Sequence, residues 1–195
     1  VLWVGTAGGG ISRFKNEIFS SITMKEGLFD DTVYSILEDN QGNVWMTCNK
    51  GIFRVQKNQL EAFADGKIPN ITCIAYGKAD GLRSVECNGG SQPAAWKTRD
   101  GRVWFPTIKG LSVIDPAHVK FNSVTPPVHI EHFLLDGKPV DPARNRVLPP
   151  GVDKIDFSFT GLCLRMPERM KFKYKLEGYD IDWQTTSSHR EAHYT

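Results

Sequence analysis

The residues of this chain that could do chemistry include, first, its five histidines. His189 and His193 have the spacing that places two zinc ligands on one face of a helix, but HREAH lacks the glutamate that follows the first histidine of that motif. The surrounding sequence favours strands, in which residues four positions apart are separated by roughly 13 Å. His129 and His132 flank Glu131, yet on a strand only His129 shares a face with that glutamate. We therefore expect surface histidines and predict no metal site.

Neither a nucleophile–base pair nor a pair of catalytic carboxylates can be recognised. Asp30, Asp31 and Asp39 lie in turn sequences, where aspartate accepts hydrogen bonds from nearby backbone N–H groups. The glycine-rich segment TAGGG, residues 6–10, would suit a phosphate, but neither a helix pattern nor a Lys-Ser/Thr pair follows it. The sequence thus predicts no catalytic residues, no cofactor and no enzymatic activity within this chain.

The four cysteines show no zinc-binding pattern, because none of them forms a C-x-x-C pair. Cysteine is often simply a small buried side chain, and we expect buried free thiols here. One disulfide, between Cys73 and Cys87, remains open as an alternative.

Composition indicates an ordinary globular protein of 195 residues, with 40% hydrophobic and 24% charged residues. A net charge of +2 and the lack of a long Lys/Arg run do not indicate a nucleic-acid partner. No apolar stretch approaches the ~20 residues that cross a bilayer, and no signal-peptide pattern is present. Because the first residue is a valine that directly precedes a repeat motif, we expect both ends to lie within a longer protein.

One hairpin pattern occurs three times, in LWVGTAGGGISRF (2–14), DNQGNVWMTCNKGIFRV (39–55) and RDGRVWFPTIKGLSVIDP (99–116). Each copy has a β-prone run around a tryptophan, a glycine-containing turn and a second run that opens with Gly-Ile or Gly-Leu. Glycine takes the positive φ of such turns without steric cost. This recurrence predicts a repeat protein in which Trp3, Trp45 and Trp104 pack between repeats.

The repeat length indicates a β-propeller. Trp3 and Trp45 lie 42 positions apart, within the roughly 40–50 residues of a propeller blade. Residues 31–65 predict four short strands, TVYSILE, VWMTC, GIFRVQ and LEAFA, which is the strand number of one blade.

The interval from Trp45 to Trp104 is longer, 59 positions, and we attribute the extra length to a loop at residues 79–96. Enlarged loops on a repeat scaffold often carry binding residues. We therefore take four residues of this loop as a candidate ligand site: Arg83, Glu86, Asn88 and Trp96. The alternative is that Trp96 packs on a blade and the loop only seals it.

The pattern changes after residue 116. Residues 117–127 read as a linker that ends in Pro126-Pro127, where proline fixes φ. Residues 128–195 predict longer antiparallel strands with one buried face, from alternations such as Ile155, Phe157 and Phe159, and they form a second, sandwich-like domain.

These motifs resemble a known family. The three hairpin sequences are similar to two-component regulator propeller (Reg_prop) repeats. The segments PPVHIEHFLLDGKPV and KFKYKLEGYDIDW resemble the start of the Ig-like Y_Y_Y domain that follows such propellers, with Tyr174, Tyr179 and Tyr194 as its tyrosines. The resemblance implies an all-β chain: the C-terminal blades of a β-propeller at 1–116, about two and a half blades, followed by an incomplete Ig-like β-sandwich at 128–195.

The resemblance also implies a function. Such units form the extracytoplasmic (periplasmic or extracellular) sensor region of bacterial membrane receptors, whose output domain is a histidine kinase, often a hybrid one, or sometimes a diguanylate cyclase. The implied partner is a small molecule or oligosaccharide. We also expect self-association, because an incomplete ring leaves blade faces and strand edges uncovered. A protein-interaction scaffold and a polysaccharide-degrading propeller enzyme remain as alternatives.

Overall fold

The computed structural model describes residues 1–119, 126–141, 147, 151–163, 170, 172–186 and 190–195. The chain forms two compact units, the N-terminal unit Val1–Phe121 and the C-terminal unit Asn122–Thr195. Strands dominate both units, so the all-β prediction is confirmed. Most of the predicted linker, namely residues 120–125, lies outside the described residues.

The N-terminal unit contains three antiparallel sheets, one per repeat, which we call blades 1, 2 and 3. Blade 1 consists of β1 (Leu2–Gly5), β2 (Ile11–Lys15) and β3 (Ile18–Ile22). Blade 2 consists of β4 (Ser35–Glu38), β5 (Asn43–Cys48), β6 (Gly51–Gln56) and β7 (Ile74–Tyr76), with helix α1 (Lys57–Ala64) between its last two strands. Blade 3 consists of β8 (Trp96–Lys97), β9 (Val103–Thr107) and β10 (Gly110–Ile114). Short 3-10 helices occupy Met24–Glu26, Lys78–Asp80 and Pro116–His118.

The predicted hairpin recurs in all three blades, with the three tryptophans at equivalent positions. Trp45 on β5 is the Cα partner of Leu37 on β4 and of Arg54 on β6. Trp104 on β9 is likewise the partner of Trp96 on β8, and it faces a residue of β10 on its other side. The sequence repeat therefore corresponds to a structural repeat.

A side-chain hydrogen bond closes the turn of each hairpin. Thr6 donates to the Gly10 carbonyl at 2.9 Å, and Thr107 donates to the Gly110 carbonyl at 2.8 Å. Cys48 takes this place in blade 2, where its Sγ lies 3.6 Å from the carbonyl oxygen of the glycine that opens β6. Threonine and cysteine thus perform the same local function in a turn whose glycine has positive φ.

One strand prediction is wrong. The segment LEAFA, predicted as the fourth strand of blade 2, lies in α1, and β7 is the fourth strand. The segment consists largely of good helix formers. In addition, Leu60 is buried and Phe63, three positions later, packs against the same core cluster, which is a helical spacing. The longer second interval is therefore due to α1 and its connections as well as to the 79–96 loop.

In the C-terminal unit one sheet has the strand order β12-β11-β13-β16 and a second sheet pairs β14 with β15. The strands are β11 (Val128–Leu135), β12 (Lys138–Pro139), β13 (Ile155–Gly161), β14 (Phe172–Tyr174), β15 (Gln184–Thr186) and β16 (Glu191–Tyr194). The predicted Asp136-Gly137 hairpin turn is confirmed, with φ of 51° and 76°. The predicted alternation is also confirmed, because Ile155, Phe157 and Phe159 share one core cluster.

Candidate functional site

Blades 1 and 2 are joined by an extended connector, residues 30–34, which bonds to both of them. The Val33 N–H donates to the Thr6 carbonyl of blade 1 at 2.8 Å, and the Tyr34 N–H donates to the Thr47 carbonyl of blade 2 at 2.9 Å. Lys50, in the turn of blade 2, pairs with Asp30 at 2.8 Å. Asp30, which the sequence predicted only as a turn residue, therefore also forms an ion pair that ties the connector to the turn of blade 2.

Blades 2 and 3 are joined in the same way by residues 84–88, within the predicted loop. The Cys87 N–H donates to the Cys48 carbonyl at 3.3 Å, and the Asn88 N–H donates to the Pro106 carbonyl at 2.9 Å. The Glu86 carbonyl accepts from the Ile108 N–H at 3.1 Å. This part of the loop therefore repeats the first connector, although its side chains differ.

The four candidate ligand-binding residues are distributed along this segment. Arg83, Glu86 and Asn88 are exposed, and the backbone of the last two is held in the connector. Trp96 lies on β8 and is 61% exposed. The structure therefore presents a guanidinium, a carboxylate, an amide and an indole on one connecting segment of the N-terminal unit.

Trp96 occupies a position that serves packing elsewhere. Its equivalent in blade 2, Leu37, also faces a tryptophan, Trp45, and packs in the cluster between blades 2 and 3. The indole of Trp96 has the same place on blade 3, but there it is largely exposed. The equivalence to Leu37 fits the interpretation of Trp96 as a packing group. Its exposure fits the interpretation as a stacking surface for a ligand.

A cavity of about 440 Å³ lies between β1, β4 and the 79–96 loop. From the loop it is lined by Gln92, Ala94 and Ala95, and from β4 by residues that include Ser35. None of the four candidate residues lines it. The cavity lies along β1. In blade 2 the strand equivalent to β1 is β5, and its corresponding edge is covered because it pairs with β4.

A buried polar network, which the sequence did not predict, surrounds Asp39. This carboxylate accepts from the Trp45 indole N–H at 2.8 Å and from the backbone and side-chain amides of Asn43 at 2.8 and 2.9 Å. Arg54 in turn donates to Asn43 and to the Tyr76 hydroxyl. Burial raises the pKa of Asp39, but the hydrogen bonds from Trp45 and Asn43 outweigh it and keep the pKa below its usual value. The repeated tryptophan and turn aspartate were visible in the sequence, but their contact was not.

Two of the four cysteines are buried thiols as expected, whereas Cys73 and Cys163 are half-buried. Cys48 and Cys87 are buried and carry free thiols, so the alternative disulfide to Cys73 is not formed. Burial raises the pKa of the Cys87 thiol to about 12, and it also raises the pKa of Cys48. Both groups are therefore protonated and unreactive at neutral pH.

The histidines show local contacts. His193 on β16 lies 2.7 Å from Asp156, whereas His189 lies outside the described residues. In the described part of the chain, no three or more His, Cys, Asp or Glu side chains form a group that could hold a metal ion. The helices of this same part include none with the length and apolar character needed to span a bilayer.

The three tyrosines of the sequence motif are in contact in the C-terminal unit. Tyr174 and Tyr194 lie in its core cluster, whereas Tyr179 is 61% exposed. Tyr194 makes edge-to-face contacts with Tyr174 and Tyr179, at centroid distances of 6.4 and 5.4 Å. Its hydroxyl donates to Asp180, whose carboxylate also accepts from the Leu176 N–H at 2.7 Å. Burial and the hydrogen bond to Asp180 raise the pKa of Tyr194 to about 12.

We expect Tyr194→Phe to remove a tyrosine ionisation near pH 12 from the folded protein. The folded pKa of about 12 exceeds the ordinary value of roughly 10, so the contribution of this group to stability is complete below pH ~10 and is lost as the pH rises through 12. Tyrosinate absorbance measured against pH gives the titration. The variant should lack the component near pH 12, whereas Tyr34→Phe, in the N-terminal unit, should retain it. A wild-type curve without that component would contradict the assignment.

The fold and connectors described above define a chain of propeller blades, and comparisons with known proteins agree with this class. Residues 27–50, which contain β4 and β5 of blade 2, match the family model described as "Two component regulator propeller". The predicted resemblance to these repeats is thereby confirmed.

Two individual proteins are also similar to the chain over almost its whole length. The chain is 24% identical over 211 residues to a protein named "Histidine kinase P4" from Formosa agariphila, with coverage of 97% of this chain and 14% of that protein. The extracellular domain of a hybrid two-component system from B. thetaiotaomicron has the same fold, with a TM-score of 0.63 and 20% identity over 98% of this chain and 26% of that one. The chain thus spans about a seventh of the first relative and a quarter of the second.

Proposed function

We propose that this chain is part of the extracytoplasmic ligand-sensing region of a bacterial two-component sensor. The observation that carries the proposal is the family match at residues 27–50, which lies in a blade whose geometry recurs on both sides of it. The similarity to a histidine kinase supports the same function. On this proposal the chain itself has no catalytic role, and it acts by binding.

The proposed binding surface is the segment that carries Arg83, Glu86, Asn88 and Trp96. Hydrogen bonds of the 84–88 connector to blades 2 and 3 fix its backbone, and so position the points from which the Glu86 and Asn88 side chains project. An exposed indole suits the apolar face of a sugar ring, and the charged and amide groups suit its hydroxyls. We propose an oligosaccharide as the ligand class.

Signalling requires that the ligand bind two arrangements of the receptor with different affinity. The connector residues are suited to this coupling, because a shift of Asn88 acts directly on the backbone of blade 3. The proposed mechanism is therefore mechanical: a change in the relation between blades is passed across the membrane to an output domain.

Isothermal titration of the chain with a panel of neutral oligosaccharides, built from glucose, galactose and mannose, tests this proposal. Binding should be lost in the double variant Arg83→Ala/Trp96→Ala. Met24→Ala/Lys25→Ala, in the exposed 3-10 helix Met24–Glu26 outside the proposed site, is the control and should bind normally. Unchanged binding in the first variant would eliminate the site, and no binding of any sugar would eliminate the ligand class.

The output is tested separately, on the gene. A transmembrane helix and a histidine kinase domain encoded beyond Thr195 would support the two-component proposal, and a cyclase domain would favour the alternative output. A secreted product without a membrane span would favour a scaffold or a propeller enzyme. The exposed apolar side chains of blades 1 and 3 are the observation that supports an interaction function.

A further inference from the structure

Two segments of the N-terminal unit repeat one another, residues 23–34 before blade 2 and residues 77–88 before blade 3. Each contains a 3-10 helix that ends at a glycine of positive φ, Gly27 or Gly81. Each then ends in a connector, residues 30–34 or 84–88, whose last two N–H groups donate to the two blades that it joins. The two connectors can therefore be compared residue by residue.

The first connector is held by two carboxylates in addition to its backbone. Asp30 pairs with Lys50 of the blade 2 turn at 2.8 Å and accepts from the Thr32 N–H at 2.8 Å. The Asp31 side chain accepts from the Met24 N–H at 2.7 Å, which ties the connector to the 3-10 helix before it. The carbonyl of the same aspartate accepts from two N–H groups of the blade 1 turn, at 3.0 and 2.7 Å.

The second connector has neither carboxylate, because Ser84 and Val85 occupy the positions of the two aspartates. Lys109, in the turn of blade 3, takes the place of Lys50, but the connector offers it no carboxylate at the matching position. The bond from the Cys87 N–H to blade 2 is also longer, 3.3 Å against 2.8 Å for the equivalent bond of the first connector.

The apolar packing of the two segments differs in the same direction. Leu28, which follows the first of the two glycines, is buried in the same cluster as Ile71. The Ile71 N–H also donates to the Glu26 carbonyl at 2.8 Å. Leu82, which follows the second glycine, is only half-buried. Local opening begins where buried apolar contacts and hydrogen bonds are fewest, and this comparison places that point at the second connector.

We propose that the contact between the 84–88 connector and blade 2 is a hinge, which opens while the 30–34 connector stays bonded to both of its blades. The opening breaks the bond from the Cys87 N–H to the Cys48 carbonyl. The connector then moves with blade 3, to which the Asn88 N–H remains bonded.

The hinge connects the candidate ligand site to a movement of the blades. The connector that opens carries Glu86 and Asn88, two of the residues proposed to bind an oligosaccharide. A ligand with different affinity for the open and the closed connector would change the populations of the two states. This role of the ligand rests on the proposed function, whereas the opening itself does not.

Native-state hydrogen exchange of the wild-type chain, followed by NMR at single amides, tests the hinge without any sugar. The N–H groups of Val33 and Cys87 are equivalent, and both residues are buried. Relative to its intrinsic rate, the Cys87 N–H should exchange at least about tenfold faster than the Val33 N–H. Equal or slower exchange at Cys87 would overturn the hinge.

Reciprocal variants test its cause. Ser84→Asp places a carboxylate where the first connector has Asp30, and pairing with Lys109 should slow exchange of the Cys87 N–H about threefold. Ser84→Asn, of the same size but uncharged, is the matched control and should leave that rate unchanged. Lys109→Ala should cancel the effect of Ser84→Asp. Asp30→Ser should speed exchange at the first connector, measured at Val33, by about threefold.

Identical exchange rates in Ser84→Asp and Ser84→Asn would contradict the premise that a missing ion pair loosens the second connector. No sugar is present in any of these measurements. A failure of oligosaccharide binding would therefore remove the role of the ligand and leave the hinge standing, so the two proposals fail separately.

Discussion

Replacement of Asp39 by alanine is expected to destabilise the N-terminal unit by about 3 to 5 kcal/mol. The Asp39 carboxylate is only 4% exposed and accepts from the N–H groups of Gln41 and Asn43, the Asn43 amide and the Trp45 indole. Alanine would leave these donors without their acceptor, and the more deeply buried ones, on Asn43 and Trp45, are out of reach of water. A buried donor without a partner costs about 1 to 3 kcal/mol, so several losses at one site give a large total.

Urea unfolding followed by tryptophan fluorescence measures this effect, and the Trp45 indole N–H signal in a nitrogen–proton spectrum reports the lost bond directly. Asp100→Ala is the matched control. Asp100 lies in the corresponding turn of blade 3, but it is exposed and pairs with Arg102 on the surface. Its replacement should move the urea midpoint little. Equal shifts for the two variants would contradict the buried-network explanation.

Blade 3 shows how the hairpin folds without this aspartate. Thr98 stands where blade 2 has Asp39, and its hydroxyl hydrogen-bonds to Asp100 and to the Arg102 carbonyl. The indole N–H of Trp104 is buried without a hydrogen-bond partner. The hairpin therefore forms whether or not the indole N–H of its tryptophan has an acceptor, and Asp39 contributes to the stability of blade 2 and not to its topology. We accordingly expect Asp39→Ala to keep the blade topology while lowering its unfolding free energy.

The network also shows what sequence can and cannot predict here. The glycines and aspartates of the turns have fixed local roles, so the hairpins could be located from spacing alone. The partner of the Trp45 indole could not, because it depends on how the turn at Asp39 folds back over β5. The same holds for α1, whose short segment contains apolar residues compatible with either a strand or a helix until Leu60 and Phe63 are seen to share one core.

The candidate site also shows what could be predicted from the sequence and what could not. Composition indicated a loop at residues 79–96, and the four candidate residues of this segment are exposed. Composition did not indicate that residues 84–88 repeat the connector at 30–34, because the two segments share backbone hydrogen bonds and not side chains. Cys87 and Val33 have little in common as side chains, yet their N–H groups bond to equivalent carbonyls. Backbone equivalence of this kind does not show as similarity between the side chains of the two connectors.

The second large effect is expected at Gly27, with Gly81 as its matched control. Each glycine ends a 3-10 helix, Met24–Glu26 or Lys78–Asp80, and both have similar positive φ, 102° and 95°. A Cβ at Gly81 would have no atom within 4 Å, so Gly81→Ala should cost only the backbone strain of about 1 to 2 kcal/mol. A Cβ at Gly27 would lie 2.3 Å from the Ile71 carbonyl oxygen. Gly27→Ala should therefore cost about 3 kcal/mol or more.

The excess arises because Ile71 cannot easily move. Its N–H donates to the Glu26 carbonyl at 2.8 Å, and its side chain is buried in the same cluster as Leu28. Displacing the carbonyl would lengthen that hydrogen bond and disturb the core between blades 1 and 2. Urea unfolding of Gly27→Ala and Gly81→Ala measures the free energy of unfolding that each substitution removes. Equal losses would show that the positive φ accounts for the whole effect and that the contact with Ile71 adds nothing. The two sites have almost the same sequence, Glu-Gly-Leu and Asp-Gly-Leu. They differ because the segment around Ile71, which follows α1 in the chain, packs against Gly27 and has no counterpart at Gly81.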